Sequence, residues 1–401
     1  MSAEATDGRW AVSPFNRSGI EEAPVFDRPP RISDCTLRDG EQQAGLVFSR
    51  EDKVALAAML DEIGVHDIEV GTPAASEDDR AAVEEIASRG LRASVSALAR
   101  AKEDDVRLVA DSGADAVRIS FPISARQRQA KLHIDDEEYL RAAVAISTFA
   151  KGLSLQVVFS PYDTTRADLG LLERLLHALA REDCVDRVRL VDTVGAASPE
   201  SVRFLVGFMR DAGPGIPIEV HCHDDFGLAT ANTLAGALAG GEVLSVTVNG
   251  LGERAGNTPL EEVVLALKVL YGVDTGVDTE GLTRLSDEVQ RRSGVPLQPH
   301  KAVVGTNTFT HETGTVVAGL LEDPFSAESY APELVGQRRR IVLGKLSGAA
   351  AVRYKVSELG ITLSDEDIGR LLAKVKERSI AKHRGLLDEE VRDLADEVAS
   401  P

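Results

Sequence analysis

The sequence predicts an α/β protein: a closed (β/α)8 TIM barrel followed by a smaller, mainly helical C-terminal region. Three observations lead there. Eight short β-type runs alternate with amphipathic helical stretches. Polar and ionisable residues gather just after those runs. The alternation stops near Gly272, and helix signals dominate the rest of the chain.

The strand runs are Arg31–Cys35, Asp67–Gly71, Ala93–Leu98, Ala116–Phe121, Ser154–Phe159, Arg187–Asp192, Pro217–His221 and Leu244–Val248. Between them, apolar residues recur at helical spacing in Arg50–Ile63, Asp79–Arg89, Glu137–Lys151, Leu169–Arg181, Pro199–Ala212, Ala229–Ala239 and Pro259–Tyr271. Ser198-Pro199-Glu200 and Ser49-Arg50-Glu51-Asp52 are helix starts, with a cap residue followed by a first-turn proline or acids. Three regions result. Residues 1–30, rich in Pro, Gly, Ser and acids, read as a flexible arm. Residues 31–272 form the barrel, and 273–401 a linker and helical subdomains. Within that last region Thr283–Gly294 reads as helix, Val303–Gly319 as loops, and the tail from Ala350 as mostly helical.

At 401 residues the chain is long enough for a barrel plus an appendage, and 43% hydrophobic with 27% charged residues is a globular composition. Aromatic content of 4% suits helix-on-strand packing of small aliphatics. Lys and Arg number 45 against 65 Asp and Glu, so the formal charge is 45 − 65 = −20. Such a field argues against nucleic acid and anionic membrane as partners. The three cysteines, Cys35, Cys184 and Cys222, are far apart and lack metal-type CxxC spacing. They point to a reducing, cytoplasmic setting. No run approaches the roughly 20 apolar residues of a membrane span.

Two stretches carry the chemistry. The first is Asp34 to Gln43, where a β-run breaks into charge. Arg38 is placed to meet a developing oxyanion and Asp39 to hold a metal; the alternative is a solvated, charged loop. The second is His221-Cys222-His223. Residues two apart on a strand share a face, so both imidazoles aim one way and Cys222 the other. Two neutral imidazoles with the Asp39 carboxylate and the Asn257 carbonyl suit a divalent ion, Mg²⁺, Mn²⁺, Zn²⁺ or Co²⁺, with open positions. The competing reading is a histidine pair hydrogen-bonded to Asp224 and Asp225. An ion with open positions can chelate a 2-oxo acid and polarise its carbonyl. The glycine-rich run Gly250–Asn257 lacks nucleotide-loop spacing and reads as a tight turn that delivers Asn257.

Together these residues resemble the DRE-TIM metallolyases, and within them the 2-isopropylmalate/homocitrate synthase family. The matching signatures are Thr36-Leu37-Arg38-Asp39-Gly40-Glu41-Gln42, His221-Cys222-His223-Asp224-Asp225-Phe226-Gly227, Asn249–Asn257, Val304–Glu312 and Val342-Leu343-Gly344-Lys345. The resemblance spans about Arg31 to Tyr354 and is closest to short homocitrate synthases. It implies a Claisen-type condensation of acetyl-CoA with a 2-oxo acid, releasing CoA. It implies Asp39, His221, His223 and Asn257 as metal ligands, Arg38 and Gln42 as catalytic residues, and Thr193 on the acceptor's carboxylate. It also implies a homodimer in which the region after the barrel reaches the partner's site.

Two departures stand out. The family's H-E-A-G-I-H loop reads His311-Glu312-Thr313-Gly314-Thr315-Val316 here, and its G-K-H-S-G turn reads Gly344-Lys345-Leu346-Ser347-Gly348. Each loses a histidine, leaving His311, Glu312 and Tyr330 as candidates for proton transfer. On the fifth strand, Val158–Asp163 lacks the arginine that lysine-pathway members place there. That change opens the choice of acceptor, and Arg118, Arg126 and Arg166 near the fourth and fifth strand ends favour one with a distal anionic group, such as 2-oxoglutarate, oxaloacetate or 3-phosphonopyruvate, as in 2-phosphonomethylmalate synthases. Candidate substrate contacts are Arg38, Glu69, Ser120, Ser160, Thr193, Arg118 and Arg166, with Arg126 nearby. The alternatives are a lyase or aldolase of the same superfamily, or a non-catalytic ligand-binding relative.

Overall fold

Eight parallel strands close into a barrel in the computed structural model, which describes residues 8–16, 26 and 28–399. They are β1 Arg31–Asp34, β2 Asp67–Gly71, β3 Ser94–Arg100, β4 Ala116–Ser120, β5 Gln156–Ser160, β6 Arg187–Asp192, β7 Ile218–Cys222 and β8 Val243–Val246. Each pairs with its sequence neighbour, and β8 closes onto β1 with Val243 beside Arg31 and Val246 beside Asp34. The return helices are α1 Arg50–Ile63, α2 Glu77–Ala87, α3 Glu103–Asp111, α4 Ala125–Lys131, α5 Asp136–Gly152, α6 Leu169–Arg181, α7 Pro199–Ala212, α8 Ala229–Leu238 and α9 Leu260–Ala266.

Local chemistry explains these boundaries. Ser49 caps α1 through a reciprocal capping box with Asp52, and Gly64 ends it with φ +90°, a left-handed conformation that glycine adopts freely. Helix α6 buries Leu171, Leu172, Leu175, Leu176 and Leu179 along one stripe. Each fully buried leucine stabilises by about 1.5–3 kcal/mol relative to exposure. The segment after α9, Leu267–Tyr271, is π-helical, where a continuous α-helix was expected.

The chain divides into two compact units, Phe15–Pro296 and Met1–Pro14 with Leu297–Pro401. The barrel unit thus ends some 25 residues later than the sequence suggests. It takes in helix α10 (Leu282–Ser293), whose Arg292 pairs with Asp52 of α1 at 2.7 Å. In the other unit, the segment expected to be all loop contains β9 (Thr310–His311) and α11 (Gly314–Glu322). Strand β9 pairs in parallel with β10 (Arg340–Ile341). Helices α12 (Ala349–Glu358), α13 (Asp365–Lys382) and α14 (Asp388–Ala399) come next. They pack Val352, Leu371, Val375 and Leu394 into a core with Ile341 and Leu343. The N-terminal arm is not wholly free: Ala11 N–H donates to the Ser329 carbonyl and Ala331 N–H to the Arg9 carbonyl. The rest of the expected arm lies largely outside the described residues. No helix among the described residues is long and apolar enough to cross a membrane.

Candidate active site at the barrel mouth

Strand β7 sets the site's vertical order. Glu219 and His221 point into the barrel, and His223 continues that alternation just past the strand's end, so polar groups climb from barrel interior to mouth. Ser245 lies beside His221 in the β7–β8 register, and its Oγ is 2.9 Å from His221 Nδ1. That contact turns His221 Nε2 inward. Nε2 comes within 3.4 Å of His223 Nε2 and 3.1 Å of Asp39 Oδ2. His223 Nε2 is 3.8 Å from the same oxygen. Asn257 is held beside His223 by an antiparallel bridge, with Asp224 N–H donating to the Gly256 carbonyl. Gly256 (φ +97°) is required there, because a Cβ would run into the Gly250 carbonyl.

This donor set fits a divalent cation. Among the described residues, Asp39 Oδ2 and Asn257 Oδ1 are buried oxygens without a hydrogen-bond partner, an arrangement that is costly unless something else satisfies them. Two imidazole nitrogens facing each other beside a carboxylate oxygen are reconciled by a cation among them. Burial works to raise the Asp39 carboxyl. Arg38 and the two imidazoles outweigh it and hold the group well below the usual carboxylate range. Burial also lowers His223 to about 4, helped by its neighbour His221, so it stays neutral as a ligand must. Cys35 Sγ clusters with Asp39 and His221 too, which sequence reading missed. Its thiol is pushed up by burial and donates to the Val246 carbonyl at 3.3 Å, so it remains protonated packing. Cys222 is likewise fully buried.

Arg38 sits in the turn after β1, where residues 35–42 wind over the mouth and end in the short 3-10 helix Gly40–Gln42. Its Nε donates to Glu69 Oε1 at 2.6 Å. Its Nη1 reaches Gln42 Oε1 at 3.2 Å and Asp39 Oδ1 at 2.9 Å. Among the described residues Nη2 has no partner, so it is the face of the guanidinium left for a ligand. Below it runs an ion-pair network. Glu69 Oε2 takes Arg189 at 3.0 Å, and Glu219 takes Arg118 at 2.7 Å, Arg189 at 2.6 Å and Arg187 at 2.8 Å. Despite burial, the three nearby guanidiniums hold Glu69 down to about 2.

Two expectations change here. Arg118 was placed near an acceptor's distal anion, but it is fully buried in the barrel interior. Its nitrogens are spent on Ser96 (2.8 Å), Ser33 (2.7 Å) and Glu219. Glu69 is also fully buried, with both oxygens on guanidiniums, so it holds Arg38 rather than meeting an acceptor. Ser120 and Ser160 are register neighbours on β4 and β5, and Ser160 Oγ is buried with no partner among the described residues. Thr193, just past β6, accepts from Asp163 N–H at 2.7 Å. Arg166 is committed to Asp163 through Nε and Nη2, and Arg126 is exposed on α4.

The remaining candidates belong to the C-terminal unit. His311 Nε2 lies 3.0 Å from Glu328 Oε1, and Arg339 grips both oxygens of that carboxylate at 2.8 and 2.6 Å. Glu312 Oε1 accepts from Leu346 N–H at 3.0 Å. Tyr330 packs edge-on against Phe309. Val316 and Leu346, the two departures from the family pattern, are exposed. Glu328, Arg339 and Ser245 had no motif to announce them; Asp163 closes the fifth-strand stretch Val158–Asp163, but the sequence reading assigned it no role.

A carboxylate–imidazole cluster beside a guanidinium thus lies at the C-terminal mouth of a (β/α)8 barrel, the face on which such barrels carry their active sites. The chain belongs to the HMGL-like family, whose model matches residues 29–289, and a homocitrate synthase post-HMGL domain-like model matches 303–383. It is 43% identical over 385 residues to a homocitrate synthase AksA of Methanopyrus kandleri, covering 95% of this chain and 96% of that one. It is 44% identical over 356 residues to a probable 2-isopropylmalate synthase of Ignicoccus hospitalis, covering 89% of each. The barrel fold is also that of the Bacillus subtilis HMG-CoA lyase crystal structure, with a TM-score of 0.62 at 21% identity over 68% of this chain and 96% of that one.

Proposed function

We propose that this chain is a cytoplasmic acyltransferase that condenses acetyl-CoA with a 2-oxo acid and releases CoA. What supports this reading is the convergence of Asp39, His221, His223 and Asn257 beside Arg38, in a family whose relatives are named as synthases of that kind. The four residues hold a divalent ion. When bound, that ion supplies polarisation of the acceptor's keto group. Arg38, kept in place by Glu69, Asp39 and Gln42, offers Nη2 to the oxygen on which negative charge develops. Ser120, Ser160 and Thr193 offer hydroxyls to the acceptor's carboxylate. Proton transfer falls to His311, Glu312 or Tyr330, with the enzyme acting as a homodimer.

With Arg118 committed to the barrel interior and Arg166 to Asp163, the support for an anionic distal group on the acceptor narrows to Arg126. The test is thiol release from acetyl-CoA with Mn²⁺, Mg²⁺, Zn²⁺ or Co²⁺ and a panel of 2-oxoglutarate, oxaloacetate, 3-phosphonopyruvate and 2-oxoisovalerate. The expected result is ion-dependent CoA release with one or more of the four, fastest with an acceptor carrying a second anion. Release that is absent with every acceptor and every ion would overturn the condensation.

A further inference from the structure

The most constrained loop at the barrel mouth is the one after β5. Asp163 is fully buried and has φ +65°, a left-handed conformation that costs a non-glycine residue of order 1 kcal/mol. Such a residue persists only if its surroundings over-determine it. Here they do: its carboxylate accepts from Ser124 Oγ, from Arg166 Nε at 2.7 Å and from Arg166 Nη2 at 2.9 Å. The conformation turns its backbone N–H onto Thr193 Oγ1 at 2.7 Å. A hydroxyl has one proton and two lone pairs. With a lone pair taken by the Asp163 amide, Thr193 keeps its proton for an outside acceptor.

The other side of Thr193 is gripped as well. Its carbonyl accepts from Arg254 Nη2 at 2.8 Å, and Arg254 is itself held by Asp225 at 2.9 and 3.1 Å. Gly195 carries a left-handed φ of +56°, and a Cβ there would strike Asp225 at 2.6 Å, so the loop closes on this pair. Ser160, three residues before Asp163, presents a buried hydroxyl with no partner among the described residues. Two hydroxyls with protons to give, at the ends of the adjacent strands β5 and β6, match a carboxylate.

We infer that Asp163 and Arg254 are positioning residues that lock the Thr193 hydroxyl as a donor to the carboxylate of the 2-oxo acid. This rests on the condensation reading above. It also reassigns Arg166: the guanidinium neutralises buried Asp163 and is not a contact for an acceptor's distal anion.

The test separates the two substrates. In Asp163→Ala the left-handed conformation loses its anchors, and the Michaelis constant for the 2-oxo acid rises at least tenfold while that for acetyl-CoA stays within twofold. Asp163→Asn tolerates the same conformation and keeps an acceptor for Ser124, so it restores most of the acceptor affinity. Arg254→Ala, at a partly exposed side chain, shows the same one-sided rise several-fold and serves if Asp163→Ala does not fold. In a Thr193→Val background Asp163→Ala adds less than twofold. Equal effects on both substrates, or an unchanged acceptor constant in a folded Asp163→Ala or Arg254→Ala protein, overturn the assignment. Calorimetric titration of the 2-oxo acid with Mn²⁺ present keeps the two claims apart. A wild-type protein that binds no 2-oxo acid refutes the condensation reading. Wild-type binding that Asp163→Ala and Arg254→Ala leave intact refutes only the positioning role.

Discussion

Arg38 shows how much one side chain here depends on its neighbours. Three of its contacts, to Glu69, Gln42 and Asp39, fix the guanidinium plane and leave Nη2 open. A lysine carries the charge but has neither the fork nor an Nε. Arg38→Lys is therefore expected to lower kcat by about 10²–10³-fold with little change in the Michaelis constant for acetyl-CoA, measured by CoA release. Ser245 acts on the proposed metal donors in the same indirect way, through the 2.9 Å contact that aims His221 Nε2 inward. Ser245→Ala should weaken Mn²⁺ binding about 10–100-fold in calorimetric titration, with the circular dichroism spectrum unchanged. The histidine pair was legible because period-two alternation alone puts both rings on one face. Ser245 was not, since its role comes from the β7–β8 register and a serine on a strand has no signature. Arg118 was misread for a related reason. Alternation says that a residue points into a barrel; it does not say at what depth, and Arg118 sits among Ser33, Ser96 and Glu219 rather than at the mouth.

At the scale of elements, boundaries match local chemistry where that chemistry is strong. Strands Asp67–Gly71 and Arg187–Asp192 and helices Arg50–Ile63, Leu169–Arg181 and Pro199–Ala212 begin and end where apolar periodicity and caps place them. Helix α3 was not read from the sequence: it has nine residues, opens on three acids and buries only Val106 and Val109 of its apolar residues. Helix α11 was taken for loop because Gly314 and Gly319 obscure it, and packing of Val317 and Leu320 overrides their low propensity. Capping gives the element-scale prediction. Ser49 accepts from Asp52 N–H while Asp52 accepts from Ser49 N–H, so two otherwise unpaired amides at the start of α1 are satisfied together. Ser49→Ala should cost about 1 kcal/mol. A melting curve should show this as a Tm lower by about 2–4 °C, with CoA release unaffected at 25 °C.

For the molecule as a whole, the barrel interior is held by charge as well as by aliphatic packing. Arg38, Arg118, Arg187 and Arg189 meet Glu69, Glu219, Asp67 and Asp39, in a chain whose net charge is otherwise −20. Buried pairs of this kind add little net stability over an apolar core, yet they are expensive to break. They also make stability depend on pH with a definite sign. The guanidiniums outweigh burial and hold Glu69 down to about 2 and Glu219 well below its ordinary value of 4.5. A depressed carboxylate contributes stability that is complete above its unfolded value and is lost as pH falls through the folded one. Between about pH 4.5 and 2 the unfolded chain binds the proton that the folded barrel refuses. Glu69 alone then loses about 3 kcal/mol across that window, and Glu219 adds a loss of the same sign. Replacing Glu219 with Gln removes one of these titrations and leaves three guanidiniums short of a countercharge. The variant should be less stable than wild type at pH 7 by about 3–5 kcal/mol, and its stability should fall less steeply between pH 4.5 and 2, so that the two curves converge toward acid. Urea unfolding monitored by circular dichroism at half-unit pH steps reads both quantities. Parallel curves across the window would mean that Glu219 is not ionised in the folded barrel, and the interior network would have to be redrawn around a neutral carboxyl.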